Sequence, residues 1–144
     1  MSLTPQQVEK EINNIDKKTD LDLIKDFYNW RLPVNARQKQ IAPSGNWTNW
    51  LILAGRGFGK TRTGAEWIRE RVETGEAKRI AIVGKTPADV RDVMIEGESG
   101  IITISPPWNK PDYQPSRRRL VWKNGSVAHI FSSYEPDQLR GPQF

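Results

Sequence analysis

The chain has no cysteine, and its 144 residues include a single histidine. Without cysteine it can form neither a disulfide framework nor a thiolate metal site, and His129 alone cannot build a zinc site without help from carboxylates. No apolar run approaches the ~20 residues that a membrane-spanning helix requires, and residues 1–10 are too polar for a signal peptide. These absences predict a cytosolic protein without structural metal or membrane contact.

What the chain has in excess is positive charge, with a net charge of +5 and an isoelectric point near 9.6. This balance favours a polyanionic partner, although many soluble proteins are equally basic. The length suits one domain with its own core. We expect an N-terminal helical segment over residues 1–30 and a main domain over residues 31–144.

Residues 1–30 carry the spacing of two short helices. The first apolar stripe recurs at i, i+4 and i+7 and consists of Val8, Ile12 and Ile15. A second stripe follows Thr19 and Asp20, either of which can cap a helix through its side-chain oxygen. We expect both helices to lie on the surface with one buried face.

Residues 51–84 predict the order strand, glycine loop, helix, strand. Residues 51–53 form a continuous apolar run, Leu-Ile-Leu, which is typical of a strand buried on both faces of a parallel sheet. Apolar positions spaced along one helix face follow, and Gly75 supplies a stop, which predicts a helix over residues 60–74. A second buried strand is expected at residues 79–83, and Pro87 marks the start of a further helix.

Beyond Gly97 the pattern changes to short β segments. Two apolar stretches, residues 120–122 and 127–131, flank the turn that contains Asn124 and Gly125. An Asn-Gly dipeptide between apolar stretches is a strong signal for an antiparallel hairpin. We therefore expect a β-hairpin added to the parallel sheet.

The stretch that carries chemistry is residues 54–61, A-G-R-G-F-G-K-T. It matches the phosphate-binding loop pattern G-x-x-x-x-G-K-[ST], except that alanine replaces the first glycine. Backbone N–H groups can point at an anion where glycines allow positive φ angles, and the candidates are Gly55, Gly57 and Gly59. Lys60 would add a point charge at the β- and γ-phosphates, and Thr61, opening a helix, would offer its hydroxyl to Mg²⁺. The motif predicts binding of a nucleoside triphosphate; the alternative is a glycine-rich turn that happens to contain a lysine.

Around this motif the chain closely resembles the large terminase subunit of tailed bacteriophages and prophages. The resemblance rests on residues 30–43, W-R-L-P-V-N-A-R-Q-K-Q-I-A-P, and on residues 44–67, S-G-N-W-T-N-W-L-I-L-A-G-R-G-F-G-K-T-R-T-G-A-E-W. Downstream it continues at Arg118, Arg119, Leu120, Trp122, Asn124, Gly125, Ser126, Phe131, Ser132, Pro136, Asp137, Gln138, Leu139, Arg140, Gly141 and Gln143. The N-terminal helical segment stays outside it.

The resemblance implies an α/β fold of the P-loop NTPase kind, ASCE or RecA-like, with a three-layer parallel sheet. Such an ATPase docks on the portal of an empty capsid and pulls double-stranded DNA inward, and at full length it also bears a C-terminal nuclease. The implied cofactors are ATP and Mg²⁺. The implied partners are double-stranded DNA, the portal protein, the small terminase subunit and further copies of the chain, in the cytoplasm of the bacterial host.

The resemblance also implies roles for single residues. Gln40 with Arg37 matches the family's adenine-side glutamine motif, with an ordinary polar loop as the alternative. Arg56 stands where terminases place an arginine that senses the γ-phosphate, and Arg140 where packaging motors present an arginine to a neighbouring subunit; a surface charge and a turn-closing residue are the alternatives. The implied catalytic residues are Lys60, Arg56 and Arg140. The implied nucleotide-binding residues are Arg37, Gln40, Gly55, Arg56, Gly57, Phe58, Gly59, Lys60, Thr61 and Arg62, and Thr61 is the metal residue.

One part of the family pattern is missing. Hydrolysis needs a carboxylate for Mg²⁺ and a neighbouring glutamate, both at the end of an apolar strand. Neither apolar run here ends in an acid, because one meets Gly84 and the other meets Ser132. A solvated surface explains the remaining acidic set, which is Asp89, Asp92, Glu96 and Glu98. In the family the acidic strand begins a few residues beyond Phe144.

From this gap we expect an incomplete sheet that associates through its unpaired edge or leaves the C-terminal third loosely ordered. We also expect ATP binding without turnover. Two other functions fit the same motif: a different P-loop motor, such as a RecA-like helicase, and a hydrolysis-dead remnant that only binds nucleotide. An apolar strand ending in Asp-Glu in an extended reading frame would favour the packaging motor.

Overall fold

The computed structural model describes residues 4–15 and 19–142, and of residues 11–15 the backbone alone. It contains two compact units, Met1–Gly45 and Asn46–Phe144, which are described separately. The division into residues 1–30 and 31–144 that the sequence favours stays a prediction. Gln143 and Phe144, to which the sequence resemblance extends, lie outside the described residues.

The first unit contains both predicted helices, α1 (Pro5–Ile15) and α2 (Asp20–Phe27). The predicted cap is confirmed, because the Thr19 side chain accepts a hydrogen bond from the Asp22 amide. The predicted buried face is wrong for α2, which buries none of its residues and leaves Phe27 73% exposed. An apolar stripe becomes buried only where another element packs against it, and spacing alone does not provide that element. The side chains of Ile12 and Ile15, to which the same expectation applied, lie outside the described residues.

The second unit is built around α3 (Lys60–Glu73), which confirms the helix predicted for residues 60–74 to within one residue. The helix begins after Gly59, whose backbone is left-handed with φ +89°, and it is followed by Gly75 at φ +77°. One face of α3 enters the core through Ala65 and Val72. Glycine is the residue that adopts such angles without steric cost, so both ends of the helix follow from local sequence.

The sheet has four strands in the order β1-β4-β3-β2. Their bounds are Arg79–Gly84 for β1, Asp112–Gln114 for β2, Arg119–Val121 for β3 and Val127–Ser132 for β4. The predicted second strand is confirmed as β1, and the predicted hairpin as β3 and β4, joined through Gly125 at φ +87°. The sequence did not indicate β2.

The arrangement of the sheet differs from the expected one. The hairpin was expected as an addition to a parallel sheet, yet its strand β4 is itself the parallel partner of β1, in register from Arg79 opposite Val127 to Gly84 opposite Ser132. The pairs β3–β4 and β2–β3 are antiparallel, so the sheet is mixed. The sheet also takes in β2, β3 and β4 from the C-terminal third; the expected association or loose order of that part stays a prediction. The α/β class is confirmed, and the complete P-loop NTPase arrangement stays a prediction.

The predicted strand at residues 51–53 is wrong. This segment belongs to no strand, and its leucines are exposed, Leu51 by 77% and Leu53 by 85%. A strand exists only where a neighbouring backbone accepts and donates its hydrogen bonds, and no described strand lies beside this segment. Apolar composition alone does not provide the partner strand.

The chain after β1 forms a compact bend. Thr86 caps the short helix α4 (Pro87–Asp89), as predicted, by accepting from the Asp89 amide. The backbone then continues as a π-helix over Val90–Ile95, and after a turn it enters α5 (Ile101–Ile104). The hydrophobic core of the unit joins α3, the bend and the sheet; it consists of Ala65, Val72, Ile82, Val90, Ile95, Ile101, Ile104, Leu120, Trp122, Ala128 and Ile130. Among the described residues, no helix has the length and apolarity to cross a membrane.

Candidate functional site

The glycine loop, residues 54–59, leads directly into α3. Gly57 and Gly59 have left-handed backbones, with φ +77° and φ +89°, as the motif predicts. Gly55 was expected to share this geometry, and that expectation is wrong, because its φ is not in the left-handed region. A side-chain carbon added at Gly55 would also meet nothing within 4 Å. The curvature of the loop is therefore produced by its second half.

The ammonium group of Lys60 is hydrogen-bonded to the backbone of the glycine loop. Its Nζ donates to the carbonyl oxygen of Ala54 at 2.7 Å and to that of Gly55 at 2.8 Å. A lysine ammonium has three N–H donors, so one donor remains for a ligand. Lys60 is exposed, and its charge is held over the start of the helix by these two carbonyl groups.

The first turn of α3 adds a second source of positive potential. The first intrahelical bond runs from the Thr63 amide to the Gly59 carbonyl at 2.9 Å. The amides of residues 60–62 precede it, and such first-turn amides have no acceptor within a helix. Together with the helix dipole they favour an anion at this end of α3. Thr61, on this turn, is half-buried and places its side chain at the same end.

An open cleft of about 540 Å³ lies against the loop and the first turn of α3. The loop side consists of Gly57, Gly59, Lys60, Thr61 and Arg62. The opposite side, which we call the facing wall, consists of Asp92, Val93, Gly97, Glu98 and Ser99. Binding sites for small molecules and cofactors have volumes of roughly 300–1,000 Å³, so the cleft suits a ligand of nucleotide size.

Two acidic residues of the facing wall are solvated, as the sequence predicts. Asp92 and Glu98 are exposed, and they also line the cleft that Lys60 lines. Their spacing carries no recognisable motif. The signal that could have found them is topological, because ligands of α/β proteins bind outside the carboxyl ends of parallel strands, and this wall belongs to the bend that follows β1.

The charges around the cleft are partly paired. Asp92 accepts a hydrogen bond from its neighbour Arg91 at 2.7 Å, which lowers the pKa of that carboxyl and raises the pKa of the arginine. Arg62 is paired in turn with Glu66, whose carboxylate lies 2.7 Å from the guanidinium. Glu98 forms no hydrogen bond or ion pair within the described part of the chain.

Four other predicted residues, Gly55, Arg56, Phe58 and Arg140, do not line the cleft. Arg56 is exposed on the glycine loop, and its side chain does not line the cleft. Gly55 and Phe58, on the same loop, do not line it either. Arg140 lies near the C-terminal end of the described chain with its side chain 84% exposed, 3.2 Å from the Asp137 carboxylate. The ion pair with Asp137 fits the turn-closing alternative for Arg140, while a role towards another subunit stays a prediction.

The adenine-side candidates belong to the first unit. Gln40 is buried, and its side-chain oxygen accepts from the Arg37 amide at 2.9 Å, within the short 3₁₀ turn Gln38–Gln40. Arg37 itself is exposed. Their hydrogen bond shows that the two residues form one local structure, and their role towards adenine stays a prediction.

No group of three or more His, Cys, Asp or Glu side chains that could hold a metal ion exists in the described residues. A smaller cavity of about 230 Å³ lies between α3 and β1 and is mostly apolar. Thr61 and Lys60 contribute to it as well as to the cleft. It is lined on the β1 side by Ala81, Ile82 and Val83.

Comparison with known proteins gives one match. The family model described as "Terminase large subunit, T4likevirus-type, N-terminal" matches residues 51–144, which is more than half of the chain. No curated protein and no solved structure matches. The matched range contains the glycine loop, α3 and the whole facing wall.

Proposed function

Because the chain belongs to the family of T4-like terminase large subunits, whose N-terminal part it matches over residues 51–144, we propose that its cleft binds ATP with Mg²⁺ for a viral DNA-packaging motor. The family makes the chain a component of a phage packaging machine. The bound nucleotide and its function in moving double-stranded DNA into the procapsid are the proposal.

One observation carries the proposal: the ammonium group of Lys60, the first residue of α3, is held at the glycine loop by the carbonyl groups of Ala54 and Gly55. A triphosphate at this end of the helix meets the remaining N–H donor of Lys60 and the first-turn amides, in addition to the helix dipole. Gly57 and Gly59 support the same assignment, because both line the cleft and, being glycines, place no side chain in it.

The remaining site residues have the functions that the family implies. Thr61 presents its hydroxyl to Mg²⁺, and Arg62 contacts phosphate in competition with its ion pair to Glu66. Arg56 senses the γ-phosphate, Arg37 and Gln40 bind the adenine side, and Arg140 acts on the nucleotide of a neighbouring subunit. Thr61 and Arg62 have direct support from the structure, since both line the cleft.

We expect the 144-residue chain to bind ATP without turning it over. The two parallel strands end at Gly84 and Ser132, and neither provides the strand-end carboxylate that holds Mg²⁺ for hydrolysis. Asp92 and Glu98 lie in the cleft, but they belong to the bend after β1 and not to a strand end. Electrostatic stabilisation of the transition state would therefore lack its main metal ligand.

The proposed partners follow from the family as well: double-stranded DNA, the portal protein, the small terminase subunit and further copies of the chain, in the cytoplasm of the bacterial host. The net charge of +5 suits a polyanion. Self-association is supported by the uncovered edge of β1 and by the exposed Leu51 and Leu53 near the loop. The helicase alternative has lost its support, because the family match is to terminases.

The proposal is tested by equilibrium binding of a fluorescent ATP analogue in the presence of Mg²⁺. Lys60→Ala should weaken binding by roughly tenfold to a hundredfold, the range expected for hydrogen bonds to charged groups. Lys78→Ala is the matched control, because Lys78 is also exposed and lies immediately before β1, outside the cleft lining. Equal affinity of the Lys60 and Lys78 variants, or no binding by the unchanged chain, would contradict the proposal.

A further inference from the structure

A series of charged side chains runs along α3 from the cleft. Arg62, which lines the cleft, contacts one oxygen of the Glu66 carboxylate through Nε at 2.8 Å and through Nη2 at 2.7 Å. The second oxygen of that carboxylate accepts from Nε of Arg69 at 2.7 Å. Arg69 contacts Glu73 at 3.0 Å, and Glu73 accepts from the Trp108 indole N–H at 3.2 Å. Glu66 therefore links the cleft to the ion pairs along the rest of the helix.

The three central members of this series differ in burial. The side chains of Glu66 and Arg69 are 3% and 6% exposed, whereas that of Arg62 is 38% exposed. A buried carboxylate is stable only while its charge is paired and hydrogen-bonded, so Glu66 is held beside Arg69. Arg62 is the partner that can leave the carboxylate, because its side chain already reaches solvent and lines the cleft.

The ion pair turns Arg62 away from the start of the helix. Helical side chains incline towards the N-terminus, yet the Arg62 guanidinium contacts Glu66, which lies four residues and ~6 Å further along α3. An arginine placed four residues before a glutamate is the less favourable orientation of a helical ion pair. The first turn of α3 contains no acidic residue, and a cation there meets the positive end of the helix dipole. Helix stability alone therefore does not account for an arginine at this position.

We propose that Glu66 is a positioning residue for Arg62: its buried carboxylate holds the guanidinium back from the start of α3, and a bound triphosphate must compete with it. This inference rests on the proposed function, because the ligand is the same nucleotide. A phosphate and a carboxylate are alternative partners for the N–H donors of one guanidinium. Glu66 thereby lowers the affinity of the cleft without touching the ligand, and after Arg62 has exchanged partners the carboxylate keeps its hydrogen bond from Arg69.

The experiment measures the affinity for the fluorescent ATP analogue in Mg²⁺ for the unchanged chain, Glu66→Gln and Glu73→Gln. Glu66→Gln should bind roughly threefold to tenfold more tightly, because Arg62 no longer has to leave an ion pair. Glu73→Gln is the matched control, because it removes the other carboxylate beside Arg69 and leaves the pair of Arg62 with Glu66 in place. Its affinity should stay within about twofold of the unchanged chain. Loss of structure does not produce the expected gain, since unfolding weakens binding.

The substitution Arg62→Ala separates positioning from direct repulsion of the ligand. In the Arg62→Ala chain, Glu66→Gln should no longer change the affinity, because the residue through which Glu66 acts is absent. The same gain with and without Arg62 would show that the carboxylate repels the nucleotide by its charge alone, which overturns the inference. No gain in the presence of Arg62, or an equal gain for Glu73→Gln, overturns it as well.

A second measurement on the unchanged chain decides if Glu66→Gln does not fold. The Nε–H groups of Arg62 and Arg69 both donate to Glu66, and NMR observes them as separate signals, with Arg62→Lys to assign the first. Saturation with the ATP analogue should shift the Arg62 signal and leave that of Arg69 nearly unchanged. Equal shifts, or no shift of the Arg62 signal, overturn the inference and leave the proposed function standing. If the unchanged chain does not bind the analogue, both are overturned.

Discussion

The two walls of the cleft are built in different ways. The facing wall is anchored in the core by Ile95 and Ile101, both fully buried, and its glycines are packed against backbone. The glycine loop is anchored at one end, by α3, while Leu53 before it is 85% exposed and Gly55 has open space around it. One wall takes its shape from tertiary packing, and the other from local backbone angles and the two hydrogen bonds of Lys60.

This difference explains why a motif reveals one wall and not the other. A glycine loop before a helix needs residues at fixed spacing, because the backbone itself supplies the donors. The facing wall needs only a bend that the core holds in place, and its acidic residues have no required spacing. A binding site can therefore be half visible in a sequence.

The largest expected effect tests the anchoring of the facing wall. Ile95→Ala should lower the free energy of unfolding by about 2–5 kcal/mol, because it removes a fully buried side chain and leaves a cavity. Leu53→Ala should change it by no more than about 0.5 kcal/mol, because Leu53 is exposed. Urea unfolding of the two variants and the unchanged chain measures both values.

If Leu53→Ala lowered the free energy of unfolding as much as Ile95→Ala, the proposed difference in anchoring between the two walls would be contradicted. Such a loss would mean that residues 51–53 are buried in solution, against another copy of the chain or against the cavity between α3 and β1. Repeating the unfolding at several protein concentrations separates these cases, since only association makes stability depend on concentration.

A smaller change in the free energy of unfolding is expected from substitutions at Gly100 and Gly55. Gly100→Ala should destabilise the chain by about 1–3 kcal/mol, because its side-chain carbon would overlap the Ile95 carbonyl oxygen. Gly55→Ala should leave stability within about 1 kcal/mol and in the stabilising direction, since its φ is ordinary and the space around it is open. The measurement is the same urea titration. Equal losses for the two variants would show that the glycine loop is as tightly packed as the facing wall.

The smallest expected effect is on the pKa of Tyr113, and it separates Glu96 from Glu98 in the segment after β1. Burial raises the pKa of the Tyr113 phenol above its ordinary value, and the charge of Glu96 raises it further. Glu96→Gln should therefore lower the pKa of Tyr113, whereas Glu98→Gln should not change it. The ultraviolet absorbance of tyrosinate during an alkaline titration measures this, with Tyr113→Phe to assign the signal.

The raised pKa of Tyr113 also determines how the stability of the chain depends on pH. The folded chain holds the Tyr113 proton more tightly than the unfolded chain, so the contribution to stability is present below the ordinary tyrosine pKa and is lost as pH rises through the folded value. An equal response of Tyr113 to both glutamate substitutions would contradict the separation of Glu96 from the cleft residue Glu98.

Several elements could be predicted because their causes are local. The ends of α3 follow from the glycines at its two ends, the start of α4 from Thr86 and Pro87, and the hairpin from its Asn-Gly turn. The failed predictions depended on distant partners. Residues 51–53 have the composition of a buried strand without a described neighbour, and the expected parallel sheet is mixed because β4 pairs with β1 and β3 together.

By itself, the sequence determined where the glycine loop lies and which residues form it, because φ angles, helix capping and a lysine at fixed spacing act over a few residues. Only the tertiary structure decided that Asp92 and Glu98 line the same cleft as Lys60. That juxtaposition arises from the packing of Ile95 and Ile101 into a core shared with α3 and the sheet. Burial of apolar side chains brings distant segments together without regard to their spacing, so a motif cannot record it.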